Sequence, residues 1–396
     1  MLPFAEARER ILQGVSRLGS ERVPLRAAAG RVLAEDVRAS EPLPRFDYSA
    51  MDGYALNSAD VTAAGPWALP LHGESRAGAP LARLEPGTIC RIFTGAALPP
   101  GADAVVASED AAEHGGRVEL ALAPRPGQHV RRRGEDLAEG ELALSAGVRL
   151  GAYHVGVAAG VDRPDLLVAR RPRVTIVGTG DELRAPGEAG SPTSIPESNG
   201  LSIAVLAESA GASVLLAPRI ADEAETLRER LARALEQTDL LVTIGGVSIG
   251  RYDLVRPALE AAGAQLDFWQ VQIKPGKPLV YGRYGPTHIL GLPGNPVSAQ
   301  LTFGLFGLPL LRALQGQRDP VPPFESARLL AALRQRPGRM GFYRARWSPL
   351  GVLPVDNQAS GNVLSLAYAD ALIAVPADSE GYDAGALVDI LRLSQL

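Results

Sequence analysis

Across residues 174–296 short apolar runs alternate with glycine turns: VTIVGTGDEL, ESNG, LVTIGGVSIGRYD, VQIKPGKPLVYG and ILGLPGNP follow in that order. Runs rich in Val, Ile and Leu that stop at a glycine read as strands buried on both faces. The pattern predicts strands at 173–177, 214–217, Leu240–Ile244 and 288–291, with a β-hairpin around KPGKP. Between them lie helical patterns. LSIAVLAESA starts at Ser198-Asn199-Gly200 and stops at Gly211, and TLRERLARALEQ follows the capping-box spacing of Asp222-Glu223-Ala224-Glu225. A third helix contains Tyr252-Asp253, and VSAQLTFGLFGLPLLRALQ follows the last strand. This alternation predicts a three-layer αβα domain with a mostly parallel sheet over residues 171–318.

The flanks have other periods. FAEARERIL places Phe4, Ala7, Ile11 and Leu12 on one helical stripe. Residues 1–46 and 144–170 read as a scaffold domain, interrupted by an insertion at 47–143. The runs WALPLHGES, GTICRIFTGA, ADAVVASED and GRVELALAP make that insertion a β-rich domain. After Pro320-Val321-Pro322-Pro323, runs such as GFYRARW and ALIAVP predict a small C-terminal β-barrel over 319–396.

Composition narrows the class. A net charge of −4 argues against a broad nucleic-acid-binding face. The single cysteine, Cys90, excludes an internal disulfide and a CxxC zinc site. With no basic-apolar leader and no uninterrupted apolar run long enough to span a bilayer, the expectation is a cytoplasmic protein without membrane contact.

Candidate chemistry gathers at the turns. In open α/β sheets, ligands bind at the carboxyl ends of strands, where amides and helix N-termini converge. Of 40 basic residues only two are lysine, Lys274 and Lys277, both in the KPGKP turn. Arginine bias accounts for their scarcity but not their pairing; a compact ammonium at this turn suits a phosphate or oxyanion. Asp181 and Glu182 in GTGDEL, with Asp253, suit Mg²⁺ or serve as turn and helix caps. The loop around Asp47, Ser49 and Asp52 fits ligand binding and simple turn formation equally. Thr94 ends a strand in an exposed turn. In RRRGED, three successive arginines on a strand cannot all face one ligand, and a solvated charge run is the plain alternative. No HExxH or Walker A sequence is present, and the five histidines are scattered.

Together these stretches resemble the molybdopterin molybdenumtransferase family (MoeA and the gephyrin E domain) over nearly the full length. SAMDGYA, HGESRAG, FTGAALPPGADAVV, RRRGED, GTGDEL, SNG, GGVSIGRYD, KPGKP and GLPGNP occur in the family order. Ile244 departs from it, since Thr or Ser often precedes the glycine pair. The resemblance implies Mg²⁺-dependent insertion of molybdate into adenylylated molybdopterin with loss of AMP. It also implies a homodimer with a composite active site, and transient contact with other cofactor-biosynthesis proteins. The implied catalytic residues are Asp52, Thr94, Asp136, Glu182, Lys274 and Lys277. Arg133, Gly180, Asn199, Gly245, Gly246, Ser248, Pro293, Gly294, Asn295 and Pro296 would bind the pterin substrate. Asp181, Glu182 and Asp253 would hold the metal. Two other readings start from the same residues: a nucleotide-handling enzyme built on the α/β domain alone, and a non-enzymatic scaffold. The flanking regions argue against the first, and the lack of a linker for multivalent assembly against the second.

Overall fold

The computed structural model describes residues 1–61, 65–81, 83–217, 224–246 and 254–396. At its centre is a six-stranded mixed sheet. Strands Ser213–Leu216, Arg173–Gly178, Leu240–Ile244 and Thr287–Leu292 run parallel in that spatial order. Pro278–Tyr284 and Gln265–Gln270 then complete the sheet antiparallel, as the hairpin expected around KPGKP. Alternate side chains of these strands enter different cores. Val174, Ile176, Leu240, Val242 and Ile244 pack with helix Asn199–Ser209 and the helical stretch 296–314. Val177, Leu241 and Ile289 pack on the other face against Leu227, Leu231, Leu235 and Leu259. Burial on both faces is why these strands lack a polar side.

The stretch 296–314 is one continuous 19-residue helix, long and apolar, and most of it is buried inside the protein. It is the core helix of the α/β unit, with a wider π turn at Phe303–Gly307. Among the described residues no other helix is long and apolar enough to cross a membrane.

The first helix, Phe4–Leu12, buries Phe4, Ala7 and Ile11 in the α/β core rather than in the region that follows it. Its stripe was legible; the surface it covers was not. A separate core draws Ala28, Leu33, Val37 and Ala39 together with Leu144, Leu150, Leu166 and Val168. Strand pairs Ser20–Pro24 with Asp165–Ala169, and Val37–Arg38 with Leu142–Leu144, tie these two stretches together. Between them a second six-stranded sheet contains Gly53–Leu56, Trp67–Ser75, Ile89–Ile92, Ala104–Ala107, Ala111–His114 and Arg117–Leu120. The C-terminal region forms a third six-stranded sheet. Lys274 enters it directly, because Ile273–Lys274 pairs in parallel with Met340 and Gly341. That pairing brings the lysine turn to the C-terminal sheet.

Candidate active site

The carboxyl ends of the parallel strands open into a cleft of about 430 Å³. Nine of the expected residues line it: Gly180, Glu182, Asn199, Gly245, Gly246, Pro293, Gly294, Asn295 and Pro296. The local chemistry explains their placement. Thr179 donates its amide to the Ile244 carbonyl at 3.0 Å, which ties the GTGDEL turn to the glycine pair. Gly180 has φ +137°, and a Cβ there would lie 2.5 Å from a Glu182 carboxylate oxygen. The missing side chain therefore makes room for the Glu182 carboxylate. Asp181 is exposed on the same turn.

Asn199, the first residue of its helix, donates Nδ2 to the Gly294 carbonyl at 2.7 Å and so clamps ESNG to LPGNP. Its Oδ1 is buried and has no partner among the described residues. A buried carbonyl oxygen left unpaired costs about 1–3 kcal/mol, which a ligand N–H would recover.

A second cleft, of about 350 Å³, shares Pro278 and Ser298 with the first. Lys274, Lys277, Arg339 and Arg344 line it with Ser298 and Ser360, and no carboxylate does. Gly276 has φ +101°, and its missing Cβ lets the KPGKP turn settle on Thr302, whose Oγ1 would lie 2.4 Å from it. Lys274 Nζ stands 5.8 Å from the centre of the Tyr343 ring. Arg344 is fully buried, and burial pulls its pKa below the usual value. It donates to Ser365 Oγ and to the carbonyls of Asn357 and Ala359, so no acid neutralises it. The expectation of a lysine turn is extended here by Arg339, Arg344 and Ser360. Their residue types gave no signal beyond the two arginines, Arg344 and Arg346, in the strand run GFYRARW.

The insertion carries the remaining expected residues. Asp52 accepts from the amide and hydroxyl of Thr94, and these two bonds hold its carboxyl below the usual range. The arginine run resolves into distinct roles. Arg131 pairs with Asp136, and Arg132 with Asp47 at 2.7 Å. The amide of Arg133 donates to Asp47, while its exposed guanidinium makes no hydrogen bond or ion pair among the described residues. None of Asp52, Thr94, Arg133 or Asp136 lines either cleft. Ser248 and Asp253 lie outside the described residues. Among the described residues, no group of three or more His, Cys, Asp or Glu gathers as a metal site.

The glycine-turn cleft on a mixed α/β sheet, flanked by two further sheets, defines a multidomain protein built around an α/β ligand-binding unit. Residues 175–313 match the model of a probable molybdopterin binding domain. Residues 2–161 match the MoeA N-terminal region (domains I and II), and 326–393 the MoeA C-terminal region (domain IV). The chain is 38% identical over 385 residues to molybdopterin molybdenumtransferase 2 of Mycobacterium tuberculosis, covering 94% of this chain and 95% of that protein. It is 34% identical over 394 residues to the molybdopterin molybdenumtransferase of Nostoc sp., covering 96% and 90%. A crystal structure of the molybdopterin biosynthesis protein MoeA from Pyrococcus horikoshii superposes with a TM-score of 0.87. That match is at 28% identity and covers 98% of this chain and 99% of the other. The chain belongs to the MoeA family of molybdopterin molybdenumtransferases, transferases of molybdenum cofactor biosynthesis. Because the match runs through both flanking regions, a reading built on the α/β unit alone is set aside.

Proposed function

We propose that the protein inserts molybdate into adenylylated molybdopterin with release of AMP, using the two adjoining clefts. The observation that carries this reading is the cleft of Lys274, Lys277, Arg339 and Arg344, free of carboxylates, beside the glycine-turn cleft. Molybdate and the substrate phosphate are both anions and repel each other. A site that joins them must supply fixed positive charge, and these four cations do so without competition from acids. The glycine turns present amides to the pterin-bearing substrate, and the buried Asn199 Oδ1 offers it an acceptor.

Asp181 and Glu182 fit Mg²⁺, which takes one or two carboxylates and completes its shell with water and substrate phosphate. When bound, the ion would neutralise charge on the leaving phosphate. Glu182 and Asp181 would hold it, and Asp253 is the third candidate ligand.

We read the chain as four domains: 1–46 with 144–170, 47–143, 171–318 and 319–396. The last is a small barrel, a reading supported by the bridge between Leu329 and Val352 that links strands at the two ends of its sheet. The active site is composite, with Asp52, Thr94, Arg133 and Asp136 supplied by a second copy of the chain in a homodimer. Support comes from their absence from the lining of both clefts within one chain. Exposed Tyr153 and Val157 on helix Ala152–Gly160 offer an apolar surface to such a copy.

The direct test adds molybdate to purified protein loaded with adenylylated molybdopterin and measures AMP. Molybdate-dependent release is expected, and its absence would overturn the reading. Mixing Asp52→Ala with Lys274→Ala chains tests the composite site. Verified heterodimers should recover activity, and no recovery would place each site within one chain. Asp181→Asn and Glu182→Gln should keep substrate binding but release AMP slowly, with partial rescue by added Mg²⁺. Lost binding with unchanged turnover at saturation would mean that the acids position substrate instead.

A further inference from the structure

The amino ends of the parallel strands enclose a separate cavity of about 350 Å³. The strand Thr287–Leu292 separates it from the glycine-turn cleft, and six residues of strand span roughly 20 Å. Arg17, Arg170, Arg173 and Arg283 line it against Glu236 and Asp239, so positive charge exceeds negative.

One of the two acids is already spent. Asp239 accepts both Nη atoms of Arg170, at 2.7 and 2.8 Å, together with the amide and side chain of Arg173. Arg17 is exposed and makes no hydrogen bond or ion pair among the described residues. Arg283 gives Nε to the Tyr281 hydroxyl and Nη2 to the Gly14 carbonyl, which leaves Nη1 unused.

The cavity also has a built polar wall. His288 is only 2% exposed, yet it lines the cavity. The Tyr281 oxygen accepts from Arg283, and its single hydrogen has two acceptors in reach, the Ile11 carbonyl at 3.4 Å and His288 Nδ1 at the shorter 3.1 Å. Donation along the shorter contact puts the imidazole proton on Nε2, which has no hydrogen-bond partner among the described residues. Guanidinium groups and this ring N–H are all donors, and donors without acceptors call for an anion.

We propose that this cavity is a binding site for a small phosphate-type dianion, distinct from the catalytic clefts. Its volume accommodates inorganic phosphate or the phosphate end of a small ester. Arg17 and Arg283 supply the charge, and His288 Nε2 supplies an oriented donor.

The test uses the full chain with ¹⁵N-labelled histidine, following the His288 ring, identified by its loss in His288→Gln, as inorganic phosphate is added at neutral pH. A saturable shift of that ring is expected. Arg17→Gln and Arg283→Gln should each weaken the response by about tenfold, the loss of one charge-assisted contact. Arg17→Gln disturbs no described hydrogen bond, so misfolding would not explain its effect. Phosphate also meets the lysine cleft, so the titration is repeated with Lys277→Ala, where the His288 response should be unchanged. Glycerol phosphate in place of phosphate separates the two sources: tighter binding of the ester identifies an ester ligand, weaker binding the free ion. No response of His288 at saturating phosphate, wild-type affinity in both arginine variants, or loss of the response with Lys277→Ala would each overturn the proposal.

Discussion

The Asp52 carboxylate is held by one residue twice, accepting the Thr94 amide at 2.7 Å and the Thr94 hydroxyl at 2.8 Å. The amide contributes most to lowering its pKa and the hydroxyl next. Thr94→Val removes the hydroxyl alone. The Asp52 pKa should rise part of the way to the ordinary value, as read from the carboxyl carbon in an NMR titration. An unchanged midpoint would assign the whole effect to the amide.

Lys274→Arg and Lys277→Arg should each slow AMP release by about tenfold or more while leaving the melting temperature in place. A planar guanidinium cannot reproduce a point charge at the KPGKP turn. Wild-type rates in both variants would reduce the lysine pair to a chance survival among arginines.

Gly276→Ala should destabilise the protein by about 2 kcal/mol, through a left-handed backbone and a clash with Thr302. Adding Thr302→Ala removes the clash but not the backbone strain. Denaturant unfolding of the double variant should therefore recover only part of the loss. Full recovery would show that the backbone term is negligible.

Stability should fall in two steps on the acid side. Burial and the neighbouring Arg283 lower the His288 pKa from 6.5 to about 4, partly opposed by Asp239. The unfolded chain thus takes up that proton first, and about 3 kcal/mol is lost as pH falls from 6.5 towards 4. Hydrogen bonds from Arg170 and Arg173 outweigh burial and bring Asp239 from 3.8 to about 2. Its contribution, about 2 kcal/mol, is present above 3.8 and disappears as pH falls towards 2. Unfolding curves of His288→Gln should lack the upper step, and those of Asp239→Asn the lower.

The α/β unit was legible because strands such as Arg173–Gly178 and Leu240–Ile244 are apolar on both faces and run into glycine turns, so Gly180, Asn199 and Asn295 could be placed at one rim. The partners of the lysine turn were not. Arg339 and Arg344 reach it only because Ile273–Lys274 pairs with Met340 and Gly341, a register no local pattern encodes. The separate roles within the arginine run were hidden for a similar reason. Whether Arg131 and Arg132 are available depends on Asp136 and Asp47, and Asp47 lies far back in the chain.

The seat of the first helix bears on how the chain is made. The Phe4 ring meets Phe306 edge-on at 5.4 Å and Phe342 at 5.0 Å. On the ribosome neither ring yet exists when the helix emerges; Phe342 follows roughly 340 residues later, roughly 20–70 s at ordinary rates of synthesis. Throughout that interval the face of Phe4, Ala7 and Ile11 is without its final partners. A nascent chain of this protein must shelter this helix face until Phe342 has been translated.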